Sequence, residues 1–320
     1  MGQIILLPQD VNESGKNFLL ERGYELRILQ EASVENICKN VGDCSGILAR
    51  TAQFPEEIFR AAPKLAVIAR HGVGFDNIDL AAATQHGVQV CNTPLANANS
   101  VAEHTITLLL SCAKNLVYQD RELRNGNYEV RNQAPGRDVS GRTLGIIGFG
   151  RIGREVAKKA ALGLDMRVLV WGHHHKTEES LDYMTRVDNL EELLTQSDFI
   201  SLHVPLGKDT KNLINAQNIS IMKKECILLN TARGGIVNEQ DLYEALLEKR
   251  ITGAGLDVFE EEPFTDSLSK LFELHNVIVS PHSAALTAEA MDRMSLQAAM
   301  SIDEVLRGDK PTWPVNQIIK

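Results

Sequence analysis

The stretch Thr143-Leu-Gly-Ile-Ile-Gly-Phe-Gly-Arg-Ile-Gly153 decides how the chain is read. Residues 144–147 form a short apolar run of the kind that makes a buried parallel strand, and residues 152–162 read as a helix. Gly148, Gly150 and Gly153 fall in G-x-G-x-x-G register between and into them. Each glycine has a physical task. Gly148 permits a tight turn, Gly150 lets a pyrophosphate approach the backbone, and Gly153 lets helix and strand pack closely. The free N–H groups and the positive end of the helix dipole then face the phosphates. A second strand candidate, residues 166–171, follows at the distance a βαβ unit requires. The stretch reads as a dinucleotide site built from Gly148, Phe149, Gly150, Arg151, Ile152 and Gly153.

Working outward, the first hundred residues alternate strand and helix. Strand candidates are residues 4–7, 24–28, 47–49, 65–69 and 88–91. Helices are predicted over 12–22, with Asn12 as cap and Gly23 as stop, and near 33–40, 55–61 and 80–86. Such alternation implies a parallel sheet covered on both faces. Residues 92–99, rich in Asn, Pro and small side chains, read as a hinge before a long helix over 100–115. Residues 125–140 are polar and irregular, a length of loop that is usually functional or an oligomer contact. The alternation then resumes with strands at 167–171, 199–204, 226–230, 253–258 and 277–279 and a helix over 238–248. A last helix, 287–306, carries Met291, Met294, Ala298, Ile302 and Val305 at helical spacing, with the methionines as core filling.

Composition bounds the function. The chain has 320 residues, enough for two domains, with 43% hydrophobic and 23% charged residues. A net charge of −9 and a pI near 5.5 disfavour nucleic acid or an anionic membrane as partner. No stretch reaches membrane-spanning length, and the apolar start is too short for a signal-peptide core. Five cysteines, Cys38, Cys44, Cys91, Cys112 and Cys226, lie mostly in apolar runs without a CxxC pair, which suits free thiols in a reducing, cytoplasmic setting.

Four further segments join the glycine motif: His71-Gly-Val-Gly-Phe-Asp-Asn-Ile-Asp79, Thr231-Ala-Arg-Gly-Gly-Ile-Val237, Gly255-Leu-Asp-Val-Phe-Glu-Glu-Glu-Pro263 and Ser280-Pro-His-Ser-Ala-Ala285. In this order and spacing the chain resembles the D-isomer-specific 2-hydroxyacid dehydrogenases, over almost its whole length. The resemblance implies an α/β fold of two doubly wound parallel-sheet domains. A Rossmann NAD(P)-binding domain, residues 99–287, is inserted into a flavodoxin-like substrate domain, residues 1–98 plus 288–320, with the reaction in the cleft. It also implies a homodimer, with residues 100–140 at the interface.

The same resemblance assigns the chemistry. Oxidising a 2-hydroxy acid removes a hydroxyl proton and a hydride, so the protein must supply a base, an anion anchor and orientation. His282 matches the family's catalytic His, Glu262 its carboxylate partner, which favours the charged imidazole, and Arg233 the arginine that holds the substrate carboxylate and keto oxygen. Asp257 matches the position that orients the cofactor carboxamide, and His203, Val204, Pro205, Thr231 and Ala232 complete the cofactor set. Val73 and Gly74 match the loop whose amides grip the substrate carboxylate, with Asn99 a further candidate. Glu260 and Glu261 read as solvated, and His104 as structural.

Two departures leave alternatives open. NAD-using members place an Asp at the end of the second Rossmann strand, where this chain has Gly172 followed by His173-His174-His175-Lys176. Either the cationic loop accepts the 2′-phosphate of NADP, or NAD binds through other contacts; no metal is expected on the histidines. Arg50 and Arg70 match positions that hold the substrate phosphate in 3-phosphoglycerate dehydrogenases, with Arg131 or Arg137 as possible additions. That makes 3-phosphoglycerate the first substrate expectation, in a short form without the regulatory domain. The alternative is a glyoxylate or hydroxypyruvate reductase using NADPH. A reading of another class is a nucleotide-dependent corepressor-like binding module.

Overall fold

The computed structural model describes residues 2–172, 181–263 and 270–318. In chain order the elements are β1 (Ile4–Leu7), α1 (Glu13–Glu21), β2 (Glu25–Ile28), α2 (Val34–Asn40), β3 (Cys44–Ala49), α3 (Glu56–Ala61), β4 (Val67–Arg70), α4 (Leu80–Gln85) and β5 (Gln89–Cys91). There follow α5 (Ala98–Ala113), α6 (Leu116–Arg124), α7 (Val130–Gln133), β6 (Thr143–Ile147), α8 (Arg151–Leu164), β7 (Arg167–Trp171), β8 (Thr185–Arg186), α9 (Leu190–Gln196) and β9 (Phe199–Leu202). The chain continues through α10 (Ala216–Ser220), β10 (Ile227–Asn230), α11 (Glu239–Leu247), β11 (Gly253–Leu256), β12 (Val277–Val279) and α12 (Ala288–Leu306).

The chain divides into two compact units. The first comprises Met1–Ala98 and Ala285–Lys320, the second Asn99–Ala284. In the first, five parallel strands lie in the order β2-β1-β3-β4-β5, the flavodoxin-like arrangement. Parallel strands are buried on both faces, so their side chains read as continuous apolar runs. Ile5, Leu7 and Leu48 pack with Ala298, Ala299 and Ile302 of α12 on one face. Leu6, Ile47 and Ile68 pack with Ile37, Phe54 and Ile58 on the other. Ser33, Asp79 and Thr287 each accept a backbone N–H three residues on, capping α2, α4 and α12.

The second unit is a seven-stranded parallel sheet in the order β12-β11-β10-β9-β6-β7-β8. β6, the strand of the glycine motif, lies between β7 and β9, so the chain reverses its direction of sheet growth there. Asp198 fixes the lower end of that seam: its carboxylate accepts from Thr143 N at 2.8 Å and from Lys223 Nζ at 3.0 Å. Phe199, fully buried between Leu144, Ile146 and Leu229, anchors the core of one face; its truncation to Ala costs about 3–5 kcal/mol. The architecture is α/β with two doubly wound parallel sheets, the Rossmann-type unit inserted in the sequence of the flavodoxin-like one.

Several elements differ from the sequence reading. The long helix starts at Ala98, inside the predicted hinge, and ends at Ala113. The stretch expected to be irregular holds α7, and α6 precedes it with no buried residue at all, so neither has the apolar stripe that betrays a helix. β8, α9 and α10 have no counterpart in the sequence reading. α9 and α10 did carry a signal, since Asn189 and Asn215 accept the N–H of Glu192 and Asn218 as N-caps. No helix among the described residues is long and apolar enough to cross a membrane.

Candidate active site

The turn between β6 and α8 is shaped by the glycines. Gly148 adopts φ 95°, and a Cβ there would lie 2.5 Å from the His203 carbonyl oxygen, so only glycine fits. A Cβ at Gly153 would overlap the Gly148 carbonyl, while one at Gly150 would meet open space. Gly150 is also the N-cap of α8 and offers no side chain to its first-turn N–H groups. An uncapped 14-residue helix behind an open glycine is the cradle a pyrophosphate needs. Arg151 is exposed, Ile152 half-buried and Phe149 buried, its ring flanked by the guanidiniums of Arg154 at 4.8 Å and Arg186 at 5.5 Å. These residues fit NAD or NADP, whose nicotinamide supplies the hydride exchange when bound.

Gly172 ends β7 with φ 137°. A Cβ there would stand 3.2 Å from both Cα and N of Gly148. A side chain at this position would therefore have to hold a strained backbone at φ 137° and push the glycine turn aside by a few tenths of an ångström. His173 and His174 lie outside the described residues. His203 follows β9, its ring Nε2 sharing a 2.8 Å hydrogen bond with Ser201 Oγ; burial of the ring pushes its pKa down to about 3, so it is neutral. The structure thus uses His203 through its backbone at the glycine turn. Val204 is half-buried and Pro205 exposed beside it.

β10 delivers the next segment. Asn230 Oδ1 accepts from Ala232 N at 3.0 Å, and Asn230 Nδ2 donates to Arg233 O at 2.8 Å. This pinches the chain into the short 3-10 helix at Gly234–Ile236, with Arg233 as its extended cap. Arg233 is half-buried and its Nη1 donates to Ala232 O at 2.7 Å. Thr231, buried, shares a 2.9 Å hydroxyl contact with Thr105 of α5.

β11 and β12 deliver the remaining groups. His282 Nδ1 and Glu262 Oε2 are 2.6 Å apart, and Glu262 Oε1 accepts from Phe259 N at 2.7 Å. Burial pushes the Glu262 carboxyl up, but the hydrogen bond and charge of His282, the Phe259 amide and the Arg233 guanidinium outweigh it and lower its pKa. Glu262 is therefore a carboxylate at neutral pH, and the His282 side chain, 49% exposed, turns its ring to solvent on a backbone at φ 49°. An imidazole held by a carboxylate at Nδ1, with Nε2 left toward a reactant, is a proton donor and acceptor by construction. Asp257 is fully buried. Its Oδ1 accepts from Ser280 Oγ at 2.6 Å and Ser283 N at 2.9 Å, and its Oδ2 from Ala284 N at 2.9 Å. Glu260 is exposed yet exchanges backbone-to-carboxylate bonds with Glu239 at the start of α11, so it is tied to the fold as well as solvated.

In the first unit, Gly72 N donates to Thr93 Oγ1 at 2.9 Å and Asn92 Nδ2 to Val73 O at 2.8 Å, which holds the turn carrying Val73 and Gly74. Arg50 Nη1 donates to Asp10 O at 2.8 Å. The Arg70 guanidinium folds over Gly72 and donates to the carbonyl of His71. Asn99, exposed in the first turn of α5, is engaged by Glu103 and Lys159 at 2.7 Å each. Arg131 lies over Tyr128, and Arg137 donates to Glu225 O beneath Phe199.

Residues 106–284 match the model of the family described as D-isomer specific 2-hydroxyacid dehydrogenase, NAD binding domain. The chain belongs to this family. A glyoxylate reductase of Pyrococcus furiosus is 36% identical over 99% of this chain and 96% of its own. A D-3-phosphoglycerate dehydrogenase of Methanocaldococcus jannaschii is 39% identical over 98% of this chain, which spans 59% of that protein. Among solved structures, a glyoxylate reductase from Paecilomyes thermophila superposes with a TM-score of 0.89 at 28% identity, covering 98% of each chain. This D-2-hydroxyacid dehydrogenase is accordingly an NAD(P)-dependent oxidoreductase acting on the CH–OH group of a small 2-hydroxy or 2-keto acid.

Proposed function

We propose that this dehydrogenase works as a reductase of small unphosphorylated 2-keto acids, glyoxylate and hydroxypyruvate, with NADPH. The observation that carries the reading is the full-length likeness to glyoxylate reductases, one of them 36% identical over 99% of this chain and 96% of its own. Arg50 and Arg70, the arginines on which a substrate phosphate would depend, each have one guanidinium N–H engaged by a main-chain carbonyl, Asp10 O and His71 O. In the reaction, His282 gives its proton to the keto oxygen as the hydride arrives at carbon, and Glu262 stabilises the charged ring beforehand. Arg233 orients the carboxylate and the keto oxygen. Asp257 keeps the His282 segment in place, and Asn99 borders the substrate.

Gly172 supports NADPH, because it presents no carboxylate to repel the 2′-phosphate, and Arg154 and Arg186 offer cationic charge beside Phe149. We further read the exposed Leu116, Val117 and Leu123 of α6 and the exposed Tyr128 as the homodimer face. The experiment is a set of initial rates crossing NADH and NADPH with glyoxylate, hydroxypyruvate and phosphohydroxypyruvate. The proposal expects the highest kcat/KM with an unphosphorylated acid and NADPH. A higher kcat/KM for phosphohydroxypyruvate would favour the second reading, a phosphoglycerate dehydrogenase, which the 39% identical relative supports.

A further inference from the structure

The segment that carries His282 is not held by its own strand alone. Its backbone takes the left-handed φ of 49° at His282, a conformation that a non-glycine residue keeps only when its surroundings impose it. The imposing group is Asp257, which sits at the end of β11 and is fully buried. Its carbonyl accepts the His282 N–H at 2.8 Å, and its two carboxylate oxygens accept the N–H groups of Ser283 and Ala284 at 2.9 Å each. One more donor, the Ser280 hydroxyl at 2.6 Å, completes the set on Oδ1. A Ser hydroxyl has a single proton, and here it is spent on the carboxylate. Its oxygen must therefore accept from the next group outward, which is His104 Nε2 at 2.8 Å. That assigns the tautomer of His104 as Nε2–H. The same nitrogen is 3.5 Å from Asp257 Oδ1, so its N–H dipole also faces the buried carboxylate.

His104 comes from α5, 176 residues earlier in the chain. That helix is a firm support. Leu108 and Leu109 are buried in the core of the unit, and Gly255 of β11 lets Leu108 approach so closely that a Cβ on the glycine would lie 3.1 Å from the Leu108 Cβ. One residue along from His104, Thr105 bonds Thr231, behind the turn that presents Arg233. The face of α5 at 104 and 105 therefore backs two segments, those of His282 and Arg233.

We infer that His104 is a positioning residue for the reaction: by donating from Nε2 to Ser280 Oγ it aims the Ser280 hydroxyl at Asp257, and so holds the 280–284 turn in the one conformation that presents His282 to Glu262. Without His104, the Ser280 hydroxyl is free to turn away, Asp257 loses a donor, and the His282 ring is left to wander. A misplacement of about 1 Å in a reacting group costs on the order of a hundredfold in rate. The effect falls on the chemical step, because neither His104 nor Ser280 lies in the glycine turn that receives the pyrophosphate, and Asp257, expected to orient the cofactor carboxamide, keeps the amide donors of Ser283 and Ala284 in every variant. This inference rests on His282 being the proton donor, so His282→Ala is measured alongside.

The experiment compares His104→Ala, His104→Gln, Ser280→Ala and the double variant His104→Ala/Ser280→Ala in the full chain, each with steady-state kinetics, NADPH binding by nicotinamide fluorescence, and thermal unfolding. Glutamine places an N–H donor near the reach of Nε2 and carries no titrating ring. The inference expects kcat in His104→Ala to fall about tenfold or more with NADPH affinity unchanged, recovery in His104→Gln to within about threefold of the parent, and a double variant no slower than the worse single one. Should His104→Ala lower the unfolding temperature yet keep the parent kcat, or should the two single losses multiply in the double variant, the inference is overturned. If His282→Ala itself retains turnover, the assignment of the proton donor fails instead, independently of His104.

Discussion

Lowering the pH from neutrality to 4 should destabilise the first unit through one histidine. His71 follows β4, is 5% exposed, and its ring Nε2 sits 3.2 Å from the carbonyl oxygen of Met291 in α12. Burial, with the charges of Arg50 and Arg70 adding to it, pushes its pKa from 6.5 down to about 4. In the unfolded chain the ring takes up a proton as the pH falls below 6.5, whereas the native ring stays neutral until about 4. The unfolded state thus binds more protons across that window, so the contribution of His71 is fully present above pH 6.5 and is lost as the pH falls toward 4. At about 1.4 kcal/mol per pH unit, the displacement amounts to about 3 kcal/mol, a large share of the stability of an ordinary domain. Trp171 lies in the second unit and Trp313 in the first, so a Trp171→Phe background reports the first unit by fluorescence. Urea unfolding in that background at pH 7, 5.5 and 4, with and without His71→Gln, isolates the term, because glutamine does not titrate. The difference in stability between the two proteins should shrink by about 3 kcal/mol between pH 7 and pH 4. Parallel curves for the two proteins across the whole range would refute the reasoning.

The remaining predictions concern the site and the surface. His282→Ala should lower kcat by about 10²–10⁴-fold, and Glu262→Gln, which keeps an acceptor for Phe259 N but loses the charge, by about tenfold or more, both read as initial rates on protein of unchanged circular dichroism; parent-like rates would sink the acid assignment. Because the Glu262 pKa is lowered, the pair keeps its carboxylate as the pH falls through the usual carboxyl range, and Glu262→Gln should remove any acidic limb that this group contributes to the kcat/KM profile. Gly172→Asp should destabilise by about 1–3 kcal/mol and weaken both cofactors, since φ 137° and the nearness of Gly148 strain any side chain placed there. A stable variant that merely switches to NADH would show that the turn yields. Leu116→Asp with Leu123→Asp on α6 should shift the protein from dimer to monomer in analytical ultracentrifugation; an unchanged mass would remove that face from the assembly.

What the sequence determined by itself is what short-range chemistry encodes. The apolar run of β6, the glycines that follow it and the helix they open are dictated within eleven residues, because a turn at φ 95° needs glycine wherever it occurs. The buried parallel strands were legible for the same reason: both of their faces are apolar, and β1 and β7 are marked by nothing else. α6 was not legible, since a helix with no buried residue leaves no periodic stripe, and β8 is two residues long. The tertiary structure alone decided the partnerships. Arg50 and Arg70 look alike in sequence to arginines free for a phosphate, and only the fold shows each bonded to a carbonyl, one of them 40 residues away. Asp257 and His104 likewise meet through Ser280, which lies 176 residues of chain beyond His104. A hydrogen bond has no periodicity along the sequence, so its partners become known only when folding has brought them within about 3 Å.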